Sequence, residues 1–338
     1  MPTSSHRQLI RGLDALQSDA PSLVAIGNFD GVHRGHQAVL AAAAERARGR
    51  GLVARVLTFD PHPLEVLAGL KLDRLTDEER KAQLMARVSS ELSLVVEPFT
   101  RALAANTPEQ FARDFLRNKL HAAHVIVGAN FRFGQGRAGD LATLQELGKR
   151  HGFDAQAEPL LADGGQPISS SRIRDALREG QVAEATLLLG RPHSASGRVI
   201  EGDQRGRTIG FPTANIAGAL EMLPPHGVYA CLVDDISAAA PGRALGTAVT
   251  NLGVRPTVKT EGALSLEVHL LDHAPGSGRS GAFSEDLYGH RLRVHFVERL
   301  REERKFDGLP ALMAQIQSDA NQARDVLRGR VPVGEAWV

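Results

Sequence analysis

The 338-residue chain is longer than one hydrophobic core ordinarily serves and suits two domains. Its 42% hydrophobic and 23% charged residues are those of a globular protein, and a formal net charge of +1 gives no broad field for nucleic acid or an anionic membrane. With Cys231 alone there is no intramolecular disulfide or cysteine-rich zinc site, MPTSSHRQLI lacks a signal-peptide core, and no run reaches the roughly 20 apolar residues of a membrane span; a soluble cytoplasmic protein is expected.

In chain order, Leu23–Ile26, Leu52–Phe59, Leu92–Val96 and Val125–Val127 read as buried strands. Helical patterns cover His36–Arg48, Asp77–Val88, Pro108–Leu120 and Leu141–Arg150. Strands alternating with helices predict a parallel sheet covered on both faces, with ligands outside its carboxyl ends at a topological switch point. Ser171–Arg178 and Val182–Leu189 are expected as two short helices, and Gly190-Arg191-Pro192 as a hinge. Beyond His193 the texture changes. Ser196–Ile200, Val228–Val233, Ala244–Thr250, Leu264–Leu271 and Arg291–Val297 read as strands separated by turns, and a helix over Leu309–Leu327 follows. Consecutive strands without crossover helices predict an antiparallel sheet or barrel. The domains are placed at residues 1–190 and 191–338. Asp272–Ser284, rich in glycine and serine, reads as a flexible loop or insert.

Gly27-Asn28-Phe29-Asp30-Gly31-Val32-His33-Arg34-Gly35-His36 follows the first buried strand and opens a helix. Glycines permit a sharp turn and close backbone approach, and a helix start offers N–H groups and a positive dipole end to phosphate. His33 and His36 straddle Gly35, so both rings can donate to charge gathering on a leaving pyrophosphate. A lone histidine is ordinarily a solvated or core side chain, but a pair on a glycine-rich turn favours chemistry. Zinc is disfavoured, since no third ligand has recognisable spacing.

The His-x-Gly-His pattern marks nucleotidylyltransferases, and GNFDGVHRGHQ resembles the bacterial bifunctional riboflavin kinase/FMN adenylyltransferase (FAD synthetase) family. Thr58-Phe59-Asp60-Pro61-His62-Pro63, Val127–Gly134 and Ile168-Ser169-Ser170-Ser171-Arg172-Ile173-Arg174 match that family in order. The resemblance implies nucleotide and phosphate contacts by Gly27, Phe29, Asp30, Gly35, Ser170, Ser171 and Arg174, and flavin contacts by Phe59, Pro61, His62 and Asn130. Helix capping is the simpler role for one of the serines. Many family members carry aspartate where this chain has Asn130; the amide still offers a donor and an acceptor to orient a substrate. Gly134-Gln135-Gly136-Arg137-Ala138-Gly139 satisfies G-x-G-x-x-G, yet it stands too far beyond the strand for a dinucleotide fingerprint, and a mobile loop over the first site is expected instead.

Gly202-Asp203-Gln204-Arg205-Gly206-Arg207-Thr208-Ile209-Gly210 precedes Phe211-Pro212-Thr213-Ala214-Asn215, and no G-x-x-x-x-G-K-[ST] loop exists anywhere. A flexible basic loop with Gly202, Arg205, Gly206, Arg207 and Gly210 can cover ATP phosphates, while Thr213 and Asn215 offer the hard oxygens that Mg²⁺ accepts. An ordinary turn has the same composition. The riboflavin kinase family resembles this chain at GFPTAN, Gly227-Val228-Tyr229-Ala230, Asn251–Thr257, Glu267–Asp272, Asp286–Gly289 and Arg301–Phe306. It implies Glu267 as the base for riboflavin's 5′-hydroxyl and Arg255 as a flavin contact. The bland alternative for Glu267 is a solvent-facing strand carboxylate. The loop between Asp272 and Asp286 is longer than is usual in that family.

The fold expected is therefore a Rossmann-like parallel α/β nucleotidylyltransferase domain, then a mainly antiparallel β-barrel riboflavin kinase domain with a C-terminal helix. The activity expected is phosphorylation of riboflavin to FMN and adenylylation of FMN to FAD, with Mg²⁺ and ATP. The alternatives are a flavin-binding sensor and a single-activity enzyme with one degenerate domain. No nucleic-acid or membrane partner is expected, and the oligomeric state stays open between a monomer and a weak homo-oligomer.

Overall fold

A computed structural model describes residues 9–201, 211–238, 242–254, 264–273 and 287–330. The chain divides into two compact units, Met1–Asp73 with Asp77–Ser170, and Arg74–Thr76 with Ser171–Val338.

The first unit is built on six strands: β1 (Leu9–Arg11), β2 (Ser22–Ile26), β3 (Val53–Asp60), β4 (Ser93–Pro98), β5 (Ala122–Gly128) and β6 (Asp154–Glu158). Their order is β1-β4-β3-β2-β5-β6, and every pairing is parallel. A two-stranded antiparallel ribbon, β7 (Ala162–Asp163) with β8 (Gln166–Pro167), follows. The helices are α1 (Arg34–Arg50), α2 (Pro63–Ala68), α3 (Glu78–Val88), α4 (Arg101–Ala104), α5 (Pro108–Gln110), which runs on as a π-helical stretch Phe111–Lys119, and α6 (Leu141–His151).

All five residues of β2 are buried, because the strand is sandwiched. Leu23 and Ala25 face one core with Leu40, Ala43 and Ala47 of α1 and Leu84 and Met85 of α3. Val24 and Ile26 face the other, with Phe111, Leu116, Leu144 and Leu147. From β2 the chain steps outward through β3 to β4, then returns to place β5 on the other side of β2. The reversal of strand order lies between β2 and β5, and their carboxyl ends are where this fold class gathers ligand groups.

At the opposite end, His124 near the start of β5 is 3% exposed and its Nδ1 lies 3.1 Å from Arg50. Burial first, and then the Arg50 charge, hold this imidazole below its ordinary value of 6.5. Above that value both folded and unfolded chains carry it neutral; below it the unfolded chain takes the proton and the folded chain resists. Stability is expected to fall as pH drops below about 6.5, with a shallower fall in His124→Gln, as urea midpoints at pH 7.5 and 5.5 will show.

The second unit carries α7 (Ser170–Arg178, from Ser171 onward), α8 (Val182–Leu189) and six strands, β9 (His193–Ile200), β10 (Ala214–Ala217), β11 (Gly227–Asp235), β12 (Arg243–Val254), β13 (Leu264–His273) and β14 (Arg291–Arg301). They close into a barrel in the order β10-β13-β12-β11-β14-β9, with every pairing antiparallel. Closure removes the sheet edges. The C-terminal helix α9 (Leu309–Leu327) packs Ala320, Ala323 and Leu327 against Val228, Ala230, Leu232 and Val249. Arg74 joins this unit by a β-bridge to Glu221, and its carbonyl accepts from the Met222 N–H at 2.7 Å.

Arg301 at the end of β14 clasps Asp319 of α9 with contacts of 3.0, 3.0 and 2.7 Å, and Asp319 is 3% exposed. Arg301 is only partly buried and also donates to the Glu302 carbonyl, so losing its charge-assisted bonds to Asp319 costs about 1–3 kcal/mol. Asp319→Ala is expected to lose stability of that order, read from denaturant midpoints.

β1, β6 and β10 lie outside the strands expected from the sequence. β1 has three residues, β6 reads Asp-Ala-Gln-Ala-Glu at the sheet edge, and β10 begins within the PTAN segment, for which no strand was expected. The Gly134–Gly139 stretch is a tight turn where a mobile loop was expected. Phe133 and Gly139 exchange backbone hydrogen bonds of 3.1 and 2.9 Å, and Gln135 N–H donates to Asn106. Two of its three glycines answer close packing: a Cβ on Gly134 would stand 2.7 Å from Pro108, and one on Gly139 would stand 2.6 Å from the Phe133 ring.

Candidate active sites

The first site grows from the carboxyl end of β2. His33 is the N-cap of α1: its Nδ1 accepts the His36 N–H at 3.3 Å, so its neutral ring carries the proton on Nε2. The two imidazoles stack with centroids 3.5 Å apart, and Phe29 meets His36 edge-on at 5.1 Å. Gly35 suits this stack, since a Cβ there would stand 3.2 Å from the His33 ring and crowd it. At Gly27 a Cβ would crowd Phe29 at 3.1 Å. Phe29 is buried with φ 49°, and Val32 has φ 40°, both in the left-handed region. The Asp30 carbonyl accepts from Ser170 Oγ at 2.9 Å, which ties the loop to the serine-rich segment.

Beside this loop, β5 ends at Gly128 and turns, the Phe131 N–H donating to the Gly128 carbonyl at 3.0 Å, so that Asn130 stands exposed at the switch point. At the end of β3, Phe59 is half-buried and Pro61 exposed, and His62 caps α2 by accepting from the Leu64 N–H at 3.1 Å. His62 Nε2 lies 2.8 Å from the side chain of Asn28. The parallel sheet thus gathers the β2, β3 and β5 ends, with Gly27, Phe29, Asp30, His33, Gly35, His36, Phe59, Pro61, His62, Asn130 and Ser170, in one unit. Ser171 and Arg174 lie on α7 in the second unit, Ser171 exposed and Arg174 9% exposed.

The second site lies on the barrel. Along β13, Leu266 and Val268 are buried while Glu267 and His269 between them are half-buried on the other face. Glu267 stands directly opposite Asn215 of β10 on one side and Asn251 of β12 on the other. Antiparallel partners share a face, so these three form one row. His269 Nδ1 donates to the Pro212 carbonyl at 2.8 Å, and its ring meets Phe211 at 5.4 Å. That bond fastens the Phe211-Pro212-Thr213 segment to β13. Burial holds His269 below the ordinary imidazole range. Asp272 accepts from Arg324 of α9 at 3.3 Å. The E-x-H-x-x-D segment therefore splits its duties: Glu267 joins the polar row, His269 anchors the loop before β10, and Asp272 meets α9.

Gly202, Arg205, Gly206, Arg207, Gly210, Arg255 and the 274–286 loop lie outside the described residues. Sequence reasoning missed Asn251, His269 and Asn28, although all three sit inside the motif segments that carried the resemblance. Among the described residues no group of three or more His, Cys, Asp or Glu could hold a metal ion, and no helix is long and apolar enough to cross a membrane. Asn215 within the Glu267 row and Thr213 two residues before it offer two neutral oxygens, a donor chemistry that suits a hard cation keeping water and phosphate ligands.

A doubly covered parallel sheet with paired histidines at its switch point, followed by a closed barrel with a carboxylate–amide row, defines a two-site phosphate-handling transferase. The FAD synthetase family model matches residues 15–172 and the riboflavin kinase model residues 189–327. A bifunctional riboflavin kinase/FMN adenylyltransferase of Escherichia coli K12 is 41% identical over 322 residues, covering 94% of this chain and 97% of its own. One from Listeria monocytogenes is 36% identical, covering 91% of this chain and 93% of its own. A crystal structure described as a macrolide-efflux protein from Streptococcus pneumoniae superposes with TM-score 0.80 and 28% identity, covering 94% of this chain and 99% of that one. The chain belongs to the bifunctional riboflavin kinase/FMN adenylyltransferase family, with its FAD synthetase region first and its riboflavin kinase region second.

Proposed function

We propose that the barrel transfers the γ-phosphate of ATP to riboflavin, giving FMN, and that the first site transfers the adenylyl group of a second ATP to FMN, giving FAD. The observation that carries this is that the paired histidines and the Glu267 row each stand with their supporting groups within a single unit. In the first reaction Glu267 takes the proton of the 5′-hydroxyl as its oxygen bonds to the γ-phosphorus, and ADP leaves. Thr213 and Asn215 would hold Mg²⁺, which neutralises phosphate charge when bound. In the second reaction an FMN phosphate oxygen bonds to the α-phosphorus of ATP, and the bond to the β-phosphate breaks. His33 and His36 donate to the departing pyrophosphate, and Asn130, Phe59, Pro61 and His62 orient the flavin.

Ser170 positions the loop through Asp30, while phosphate roles for Ser171 and Arg174 rest on the family motif alone. The loop with Gly202, Arg205, Gly206, Arg207 and Gly210 would cover ATP in the kinase step, and Arg255 would meet its flavin. The functional domains are proposed as residues 1–190 and 191–338, and the setting as the cytoplasm. A flavin sensor would need none of the three reactive side chains His33, His36 and Glu267, and all three are present. The decisive experiment incubates the chain with riboflavin, ATP and Mg²⁺ and resolves FMN and FAD by chromatography. Appearance of FMN before FAD supports both assignments; a chain that binds riboflavin but forms neither is a sensor.

A further inference from the structure

Beneath the Gly27–His36 loop lies a buried ammonium. Lys81 of α3 is 9% exposed, and its Nζ donates to the main-chain carbonyl of Asn28 at 2.9 Å. The same oxygen accepts from Thr58 Oγ1 at 3.0 Å, and Thr58 is fully buried near the carboxyl end of β3. The Asn28 side chain meets His62 Nε2 at 2.8 Å. Three elements therefore converge on one residue at the first bend of the loop.

Burying a lysine head is unfavourable unless it is hydrogen-bonded, and a charged donor binds a carbonyl more strongly than a neutral one. The trans peptide gives that bond a consequence. A carbonyl and the next residue's N–H point in opposite directions, so drawing the Asn28 oxygen toward α3 and β3 turns the Phe29 N–H away from them. Beyond it the backbone runs through φ values of 49° at Phe29, 81° at Gly31 and 40° at Val32. Left-handed non-glycine residues persist only where the surroundings over-determine them, and chains bent in this way direct successive amides into anion-binding concavities.

We propose that Lys81 is a positioning residue for adenylyl transfer: together with Thr58 it clamps the Asn28 carbonyl and so holds the Phe29–His33 backbone in the form that receives the polyphosphate of ATP. The inference rests on the reading that this loop takes ATP.

The test uses the full chain and steady-state FAD formation from FMN, with ATP, FMN and inhibitory pyrophosphate each varied. Lys81→Met keeps most of the side-chain volume and removes the charge. It is expected to raise both the KM for ATP and the inhibition constant of pyrophosphate about 10- to 100-fold, while the KM for FMN and the rate of riboflavin phosphorylation stay within about twofold. Lys81→Arg restores a charged donor and recovers most of the ATP affinity. Thr58→Val, nearly isosteric, moves the KM for ATP the same way by about 3- to 10-fold. An unaltered KM for ATP in Lys81→Met and Thr58→Val overturns the clamp, and so does a parallel rise in the KM values for ATP and FMN. If Lys81→Met does not fold, Thr58→Val decides by the same criterion. His33→Ala separates the two levels: FAD formation intact in that variant overturns the ATP-loop reading itself. FAD formation lost there, with a wild-type KM for ATP in both clamp variants, overturns the clamp alone.

Discussion

Glu267→Gln is expected to form FMN from riboflavin at least ~10²-fold more slowly than the unaltered chain, while still folding and binding riboflavin. A positioned carboxylate base contributes roughly 10²–10⁴-fold, and glutamine keeps its size while losing that function. The strand pairing keeps the substitution local, because Glu267 is half-buried between Asn215 and Asn251 and the strand is held by buried Leu266 and Val268. Supplied with FMN, the variant should make FAD at close to the normal rate. Asn215→Ala should slow the same step yet recover in part at high Mg²⁺, because it would remove a proposed metal ligand and leave the proposed base. Near-normal phosphorylation by Glu267→Gln would refute the base assignment. Loss of both activities together would point to misfolding or to obligatory coupling.

The second large effect belongs to the histidine pair. Replacing both His33 and His36 by alanine should reduce FAD formation from FMN by about 10²–10³-fold for each lost transition-state hydrogen bond, with riboflavin phosphorylation spared. His33 also caps α1, so alanine there costs about 1 kcal/mol of stability as well. His33→Asn separates the roles, since asparagine is a good cap with a shorter reach. It should keep the melting temperature and lose the rate. Wild-type FAD output from the double variant would eliminate the leaving-group role.

How much of this was legible in the sequence depended on the kind of contact involved. The β2–α1 turn was readable because its demands fall on residue type: glycine where a Cβ would crowd the His33 ring, and histidines with i, i+3 spacing. The central strands were readable because both faces are buried, which leaves unbroken apolar runs. β6 and β10 were not, since an edge strand of mixed polarity and a Pro-Thr-Ala-Asn segment carry turn-like composition. The Gly134–Gly139 stretch misled for the opposite reason. Glycines needed for packing against Pro108 and Phe133 imitate glycines needed for mobility. The Lys81–Asn28 bond left no mark at all, because any lysine can donate to any main-chain carbonyl and only the fold brings residues 53 positions apart together. The Glu267–Asn215–Asn251 row is likewise a property of strand register.

That register makes the kinase site digital. Side chains along β13 alternate with a period of two, so a slip of one residue exchanges the faces of the whole strand. Leu266 or Val268 would then stand in the polar row, Glu267 would enter the apolar interior, and His269 would leave Pro212. A single inserted or deleted residue inside β13 would therefore remove the proposed base, the loop anchor and the helix contact in one stroke. In such a strand, changes of length are far more dangerous than changes of side chain.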